Sequence, residues 1–74
     1  MPKAKYKLSY PRSLVKKPIL FTIANECGIS PSILKAVLTY EGGEMLVILE
    51  GEEESLNKAI SMFEERGVRV EFVE

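Results

Sequence analysis

The side chains able to do chemistry in this chain are few. There is no histidine and no aspartate, and Cys27 is the single cysteine. Glu52, Glu53 and Glu54 are the densest group of carboxylates. Adjacent carboxylates can work as acid and base when burial or a like charge drives their pKa values apart. Here they stand at a helix start, where negative charge meets the positive end of the helix dipole and stays solvated. Without His or Asp no conventional nucleophile–base–carboxylate triad can be assembled. One thiol and no imidazole cannot build a zinc or iron–sulfur site within one chain. Gly42-Gly43 and Gly51 are accounted for by turn and strand-end duties rather than by a phosphate loop. Cys27 falls on an apolar helical stripe, which favours a buried structural thiol over a nucleophile. The expectation is a protein that is not an enzyme and holds no metal or other cofactor.

Charge is split along the chain. Seven Lys and Arg against Glu26 alone give residues 1–40 a net +6, and three against ten Glu give residues 41–74 a net −7. Cancellation within the fold accounts for this more simply than an electrostatic partner. With 74 residues there is room for one domain, 1–74, with a core over about residues 6–73. So short a chain is marginal alone, and with no disulfide available, self-association is a natural route to further burial. The basic start is not followed by an uninterrupted apolar run, and no stretch approaches the ~20 apolar residues of a membrane span. A cytoplasmic location without direct membrane insertion is therefore expected.

Period and punctuation place the elements. Met1 to Ala4 are expected to be a loose lead-in. Tyr6, Leu8 and Tyr10 alternate with Lys5, Lys7 and Ser9, the period of a half-buried strand that Pro11 ends. Pro18 suits a first helical position. Ile19, Leu20, Ile23, Ala24 and Cys27 then fall on one stripe, and Gly28 stands where a left-handed cap belongs. Ser30-Pro31-Ser32 reads as a short loop. A second strand follows over Ile33–Tyr40, with Leu34, Ala36, Leu38 and Tyr40 on one face and Lys35, Val37 and Thr39 on the other. Gly42-Gly43 is a hairpin signal, and Glu44–Glu50 make strand three. Leu56, Ala59, Ile60 and Phe63 recur at helical spacing. Gly67 closes that helix as Gly28 closes the first, and Val68, Val70 and Phe72 alternate through strand four.

Two strand–helix–strand halves give β-α-β-β-α-β. With right-handed crossovers this is an α+β, ferredoxin-like sandwich: a four-stranded antiparallel sheet in the order 4-1-3-2 under two helices on one face. Lys5 and Lys7 on the central first strand would then lie between Glu71 on one side and Glu44 or Glu50 on the other. RNA-recognition modules share this topology, but they stack bases on aromatics exposed on the central strands. Strand three has none, and Tyr6 and Tyr10 read as core, so a nucleic-acid partner is not expected.

Strand three also breaks the alternation. If Met45, Val47 and Leu49 face the helices, Leu46 and Ile48 stand on the open face, with Val37 beside them. A sheet wet on one side should be polar there. Val37, Leu46 and Ile48 are thus the expected self-association surface, and strand two is a free edge open to β-addition.

The run Gly28-Ile29-Ser30-Pro31-Ser32-Ile33-Leu34 resembles the signature of the NIL domain. So do Pro18 at a helix start, Gly51 ending an apolar strand, and the close Arg66-Gly67-Val68-Arg69-Val70-Glu71. The resemblance extends from about Tyr6 to Val73 and rests on joint spacing rather than one motif. It implies an ACT-like regulatory domain of the kind found at the C-terminus of methionine-importer ATP-binding subunits, or fused to ferredoxin modules of sulfur assimilation. It further implies a homodimer that senses an amino acid, methionine or a related sulfur compound, near its interface. Ser32, Ile33 and Leu34 are the contacts it designates: Ser32 offers a hydroxyl and the aliphatics an apolar slot. Where the family has Asn-Ile-Leu, this chain has Ser32-Ile33-Leu34, and a serine reaches less far than an asparagine amide. The other reading is a ligand-free interaction subunit acting in trans on a transporter or a ferredoxin partner.

Overall fold

The computed structural model describes residues 2–74. Its elements run β1 (Lys3–Pro11), a single 3₁₀ turn (Arg12–Leu14), α1 (Ile19–Cys27), β2 (Ser30–Thr39), β3 (Gly42–Glu50), α2 (Glu53–Glu65) and β4 (Arg69–Phe72). The sheet is antiparallel in the order β2-β3-β1-β4, as the duplicated pattern requires. One apolar cluster joins Tyr6, Leu8 and Tyr10 of β1, Met45, Val47 and Leu49 of β3, and the inner stripes of both helices. Phe63, Leu8, Ile23, Leu49, Val47 and Val68 are its largest fully enclosed members.

Both helices end in the same way. Gly28 adopts φ +68°, and the Ile29 N–H reaches back to the Ala24 carbonyl at 3.0 Å. At the end of α2 Gly67 adopts φ +96°, the Val68 N–H reaches the Phe63 carbonyl at 2.9 Å, and the Gly67 N–H reaches Glu64 at 3.0 Å. A left-handed residue after the last turn lets the next N–H groups satisfy orphan carbonyls, and glycine takes that conformation without a Cβ penalty. In each half the residue after the glycine, Ile29 or Val68, is buried and starts the chain back toward the sheet.

Several expectations need correction. Lys3 and Ala4 are not a loose lead-in: they pair with Glu50 and Leu49, and the Gly51 N–H donates to the Pro2 carbonyl at 3.0 Å. Met1 lies outside the described residues. Ser30-Pro31-Ser32 is the start of β2, not a loop; an edge strand tolerates a proline because one side of its ladder has no partner. The hairpin turns at Tyr40–Glu41, one step before Gly42-Gly43. No non-glycine among the described residues has positive φ, so the loop is not a primed turn; Gly42, at φ +142°, takes up the reversal behind it. Thr39 Oγ1 braces the loop, donating to the Gly42 carbonyl at 3.1 Å and accepting from the Glu41 N–H at 3.2 Å.

The largest departure is a bulge in β2. Ile33 registers with Val47 and Lys35 with Leu46, so Leu34 is the extra residue between them. Ile33 therefore shares the helix-side face with Ala36 and Leu38, and Leu34 does not. An unpaired residue resets which side of the sheet its neighbours occupy.

On the open face Lys7 pairs with Glu44 at 3.1 Å, as the charge pattern implies. Lys5 pairs with Glu74 at 2.6 Å instead of Glu71 or Glu50, because the chain continues along β1 past Phe72: the Lys5 N–H donates to the Glu74 carbonyl and the Val73 N–H to that of Lys5. Arg66 reaches Glu26 at 3.8 Å, linking the ends of the two helices. Such exposed pairs contribute about 0–1 kcal/mol each; the apolar layer holds the fold.

Candidate functional site

At the hairpin end of the sheet the helix-side layer thins. Leu38, Gly43 and Tyr10 lie side by side across β2, β3 and β1, and Ala36, Met45 and Leu8 form the next row. Gly43 brings no side chain, and a larger residue there would collide with Leu38 Cδ2. Leu38 thus leans over the glycine. Ala36 is small, and α1 begins only at Ile19, so this corner is covered by the connecting segment and the first turn of the helix. Between them lies a cleft of about 330 Å³. Tyr10, Ile33, Ala36, Leu38 and Met45 line it from the sheet, and residues 15–21 line it from above. Burial grades across it: Tyr10 and Met45 are enclosed, whereas Ile33 and Leu38 on the edge strand are about half exposed. The cleft therefore opens toward β2 and closes on β1.

Its two ends differ in chemistry. Lys16 and Lys17 line it beside the start of α1. That helix has Pro18 as N-cap with no capping side-chain hydrogen bond, and no acidic residue in its first turn. The Ile19 N–H turns back to the Lys17 carbonyl at 2.8 Å, and helical bonding begins with the Thr22 N–H to Pro18 at 3.1 Å. The N–H groups of Leu20 and Phe21 precede that bond, in the position where helix donors lack intrahelical partners. A bare positive helix end flanked by two ammonium groups favours a carboxylate. At the closed end stands Tyr10, 8% exposed, whose hydroxyl is buried without a hydrogen-bond partner. Burial alone pushes its phenol from 10.0 up to about 12.

Of the three residues designated by resemblance, Ile33 lines the cleft. Ser32 registers with Ile48 and so belongs to the opposite, open face, and Leu34 sits at the bulge, half exposed. Of the expected self-association residues, Val37 is 56% exposed, while Leu46 and Ile48 are only partly accessible. Lys7 and Lys35 flank Leu46 in register, and Lys5 flanks Ile48; their aliphatic stems can cover apolar neighbours while the ammonium groups stay wet. More apolar side chain is exposed on β2 itself, at Ile33, Leu34, Val37 and Leu38, with Tyr40 in the turn after it and Phe21 on α1. Cys27 is buried, its Sγ 3.5 Å from Met62 Sδ. Among the described residues no three His, Cys, Asp or Glu gather as metal ligands, and no helix is long and apolar enough to cross a membrane.

Sequence reasoning missed Tyr10, Lys16 and Lys17 as site residues. The basic pair directly before Pro18, with no capping residue and no acid in the following turn, was the available signal.

The geometry is that of a small α+β sandwich with an apolar cleft rimmed by Lys16 and Lys17, and comparison with known proteins gives the family. The NIL domain matches residues 4–72, nearly the whole chain, and the chain belongs to that family. Among solved structures, a C-terminal domain of an ABC transporter ATP-binding protein from Enterococcus faecalis superimposes with a TM-score of 0.81 at 23% identity, over 95% of this chain and 82% of that one. At that identity the likeness is one of fold. No curated protein matches.

Proposed function

We propose that this NIL domain is a non-catalytic regulatory module that senses a small amino acid, methionine or a related sulfur compound, at the interface of a homodimer. The observation that carries the reading is the cleft, whose volume of about 330 Å³ lies at the small end of ligand sites. Its walls are apolar, and a bare helix start with Lys16 and Lys17 stands at its rim to take a carboxylate. Ile33 is the contact this geometry supports among Ser32, Ile33 and Leu34.

The edge of the sheet supports the dimer. β2 presents unpaired backbone groups together with Ile33, Leu34, Val37 and Leu38, all about half exposed. Such an edge invites pairing with a twin strand. A second chain there would cover the open side of the cleft, so ligand and dimer would stabilise each other. Leu46 and Ile48, partly shielded by lysine stems, would contribute less than Val37. A partner in trans, a transporter ATP-binding subunit or a sulfur-assimilation ferredoxin, would read the change in dimerisation.

Calorimetry with methionine, homocysteine and cysteine, run alongside sizing chromatography, tests this. The expected result is saturable heat from one of them at no more than one per chain, with the dimer fraction rising as ligand is added. Val37→Lys should weaken the dimer more than Ile48→Lys. No heat with any of the three, with a protein partner recovered by pull-down, would replace the sensor with a ligand-free interaction subunit.

A further inference from the structure

β2 is the longer of the two sheet edges, ten residues against four in β4. Free edges carry devices that discourage pairing, among them proline, bulges and lysine. Here all three gather in one stretch: Pro31, the bulge at Leu34, and Lys35. Ala36, Val37, Leu38 and Thr39 follow with none of them, and all four are exposed. That bare stretch borders the cleft, which Ala36 and Leu38 line from the edge and the exposed Phe21 from α1. A strand added there finds unpaired backbone groups to bond and an apolar slot for one of its side chains. Charge decides what kind of strand. Lys16 and Lys17 flank the cleft, and no acidic residue lines it. Lys35 stands on the other face of the same edge, in register with Leu46. All three lysines are exposed, and no ion pair among the described residues uses them. β2 itself carries no acid, so a twin strand brings only a second Lys35 to this rim. β4, by contrast, holds Glu71, with Glu74 just beyond it.

We propose that the edge at residues 36–39 is the docking site of an extended acidic segment of a partner protein, which joins the sheet beside β2 in place of a twin chain. The inference rests on the reading of a partner in trans, and it uses the cleft only as a slot for a side chain. One apolar side chain of the segment enters beside Ile33, Leu38 and Phe21. Carboxylates flanking it meet Lys16 and Lys17 on the helix side and Lys35 on the open side. Backbone bonds to the edge supply affinity, and the slot and the charges supply selection. Partner and twin use the same edge, so they exclude each other, and the partner reads dimerisation by competing with it.

The probe is a short synthetic peptide with a valine-leucine-valine centre flanked by glutamates, set against the same peptide with lysines in their place. Fluorescence anisotropy and amide NMR follow both on the intact chain and on the double variant Lys16→Glu, Lys17→Glu. At low salt the wild type should bind the glutamate peptide about tenfold tighter than the lysine peptide, with shifts at residues 36–39 and Phe21. The charge-reversed variant should reverse the preference. Methylating alternate peptide nitrogens removes the donors of one side of an added strand, so one methylation phase should abolish binding and the other spare it. On a sizing column the glutamate peptide should lower the dimer fraction. Equal binding of the two peptides, binding that survives both methylation phases, shifts centred on Phe72 at the other edge, or a dimer fraction unmoved by saturating peptide would overturn the proposal. Binding of neither peptide would overturn it too, while leaving the amino-acid sensor and its dimer standing. Selective binding to a chain that never dimerises would support the docking site and remove the twin.

Discussion

The two halves of the molecule begin from one pattern and finish differently. α1 and α2 both close on a left-handed glycine whose following residue is buried. Their starts do not match. α2 has Glu53 and Glu54 in its first turn, and Leu56, Ala59 and Phe63 lock it to the sheet. Neither start has a capping side-chain hydrogen bond, but α1 also lacks an acid and stands beside Lys16 and Lys17, over a corner that Gly43 and Ala36 leave underfilled. The strands differ likewise. β4 is four residues long and pairs with the centre. β2 is ten residues long, bulged and exposed along nearly its whole length. The two strand–helix–strand units differ at their margins: β2 and β4 are both edges, but only β2 is long and bulged, and only α1 starts beside a positive rim. Both halves supply the core, with Leu8 and Ile23 from the first and Val47 and Phe63 from the second, while the cleft and the long exposed edge gather beside β2.

That division can be broken by mutation. Phe63→Ala removes the largest wholly enclosed side chain and should cost about 3–5 kcal/mol. Leu38→Ala, at the mouth of the cleft and about half exposed, should cost about 1 kcal/mol or less. Urea unfolding of both variants measures the contrast. Similar losses would mean that the cleft corner is as much core as α2 is.

A smaller effect separates the halves by pH. Tyr10 in the cleft has its phenol raised to about 12 by burial, against 10.0 unperturbed. The folded state therefore favours the neutral form, so its contribution is intact below pH 10 and falls as pH rises toward 12. At the other end of the chain, the hydrogen bond from Lys5, then its charge, holds the Glu74 carboxyl below the ordinary 4.5. Its contribution is present above that value and fades as pH drops through the lowered folded pKa. Tyr10→Phe should flatten the alkaline limb of melting temperature against pH, and Glu74→Gln should affect only the acid limb, slightly because the pair is exposed. An alkaline limb unchanged in Tyr10→Phe would place the phenol in water and remove the distinction between the ends of the cleft.

Much of the scaffold was legible in the sequence because its signals are redundant. Apolar period, a glycine stop and a β-branched restart agree at Cys27-Gly28-Ile29 and again at Arg66-Gly67-Val68. Once both helices were placed, topology left one strand order. The bulge was not legible, because Ile33 and Leu34 are both apolar and either could face the core; only pairing with Val47 and Leu46 decides it. Ser32 was designated by resemblance alone, and its register with Ile48 puts it on the open face. Gly42-Gly43 was misread as the turn, because a glycine admitting a close neighbour looks in sequence like a glycine needed for positive φ. Alternation correctly placed Tyr10 in the core, but no pattern says whether a buried hydroxyl finds an acceptor. That depends on three strands and a helix meeting at one corner.

The central claim, that the cleft beside β2 binds while α2 only supports, is tested most directly by amide NMR of the intact chain titrated with methionine. The account predicts shifts concentrated at Leu20, Phe21, Ile33, Leu38 and Tyr10, with Leu56, Ala59 and Phe63 of α2 unmoved. Shifts centred on Leu46 and Ile48 of the open face, or spread through α2, would contradict it.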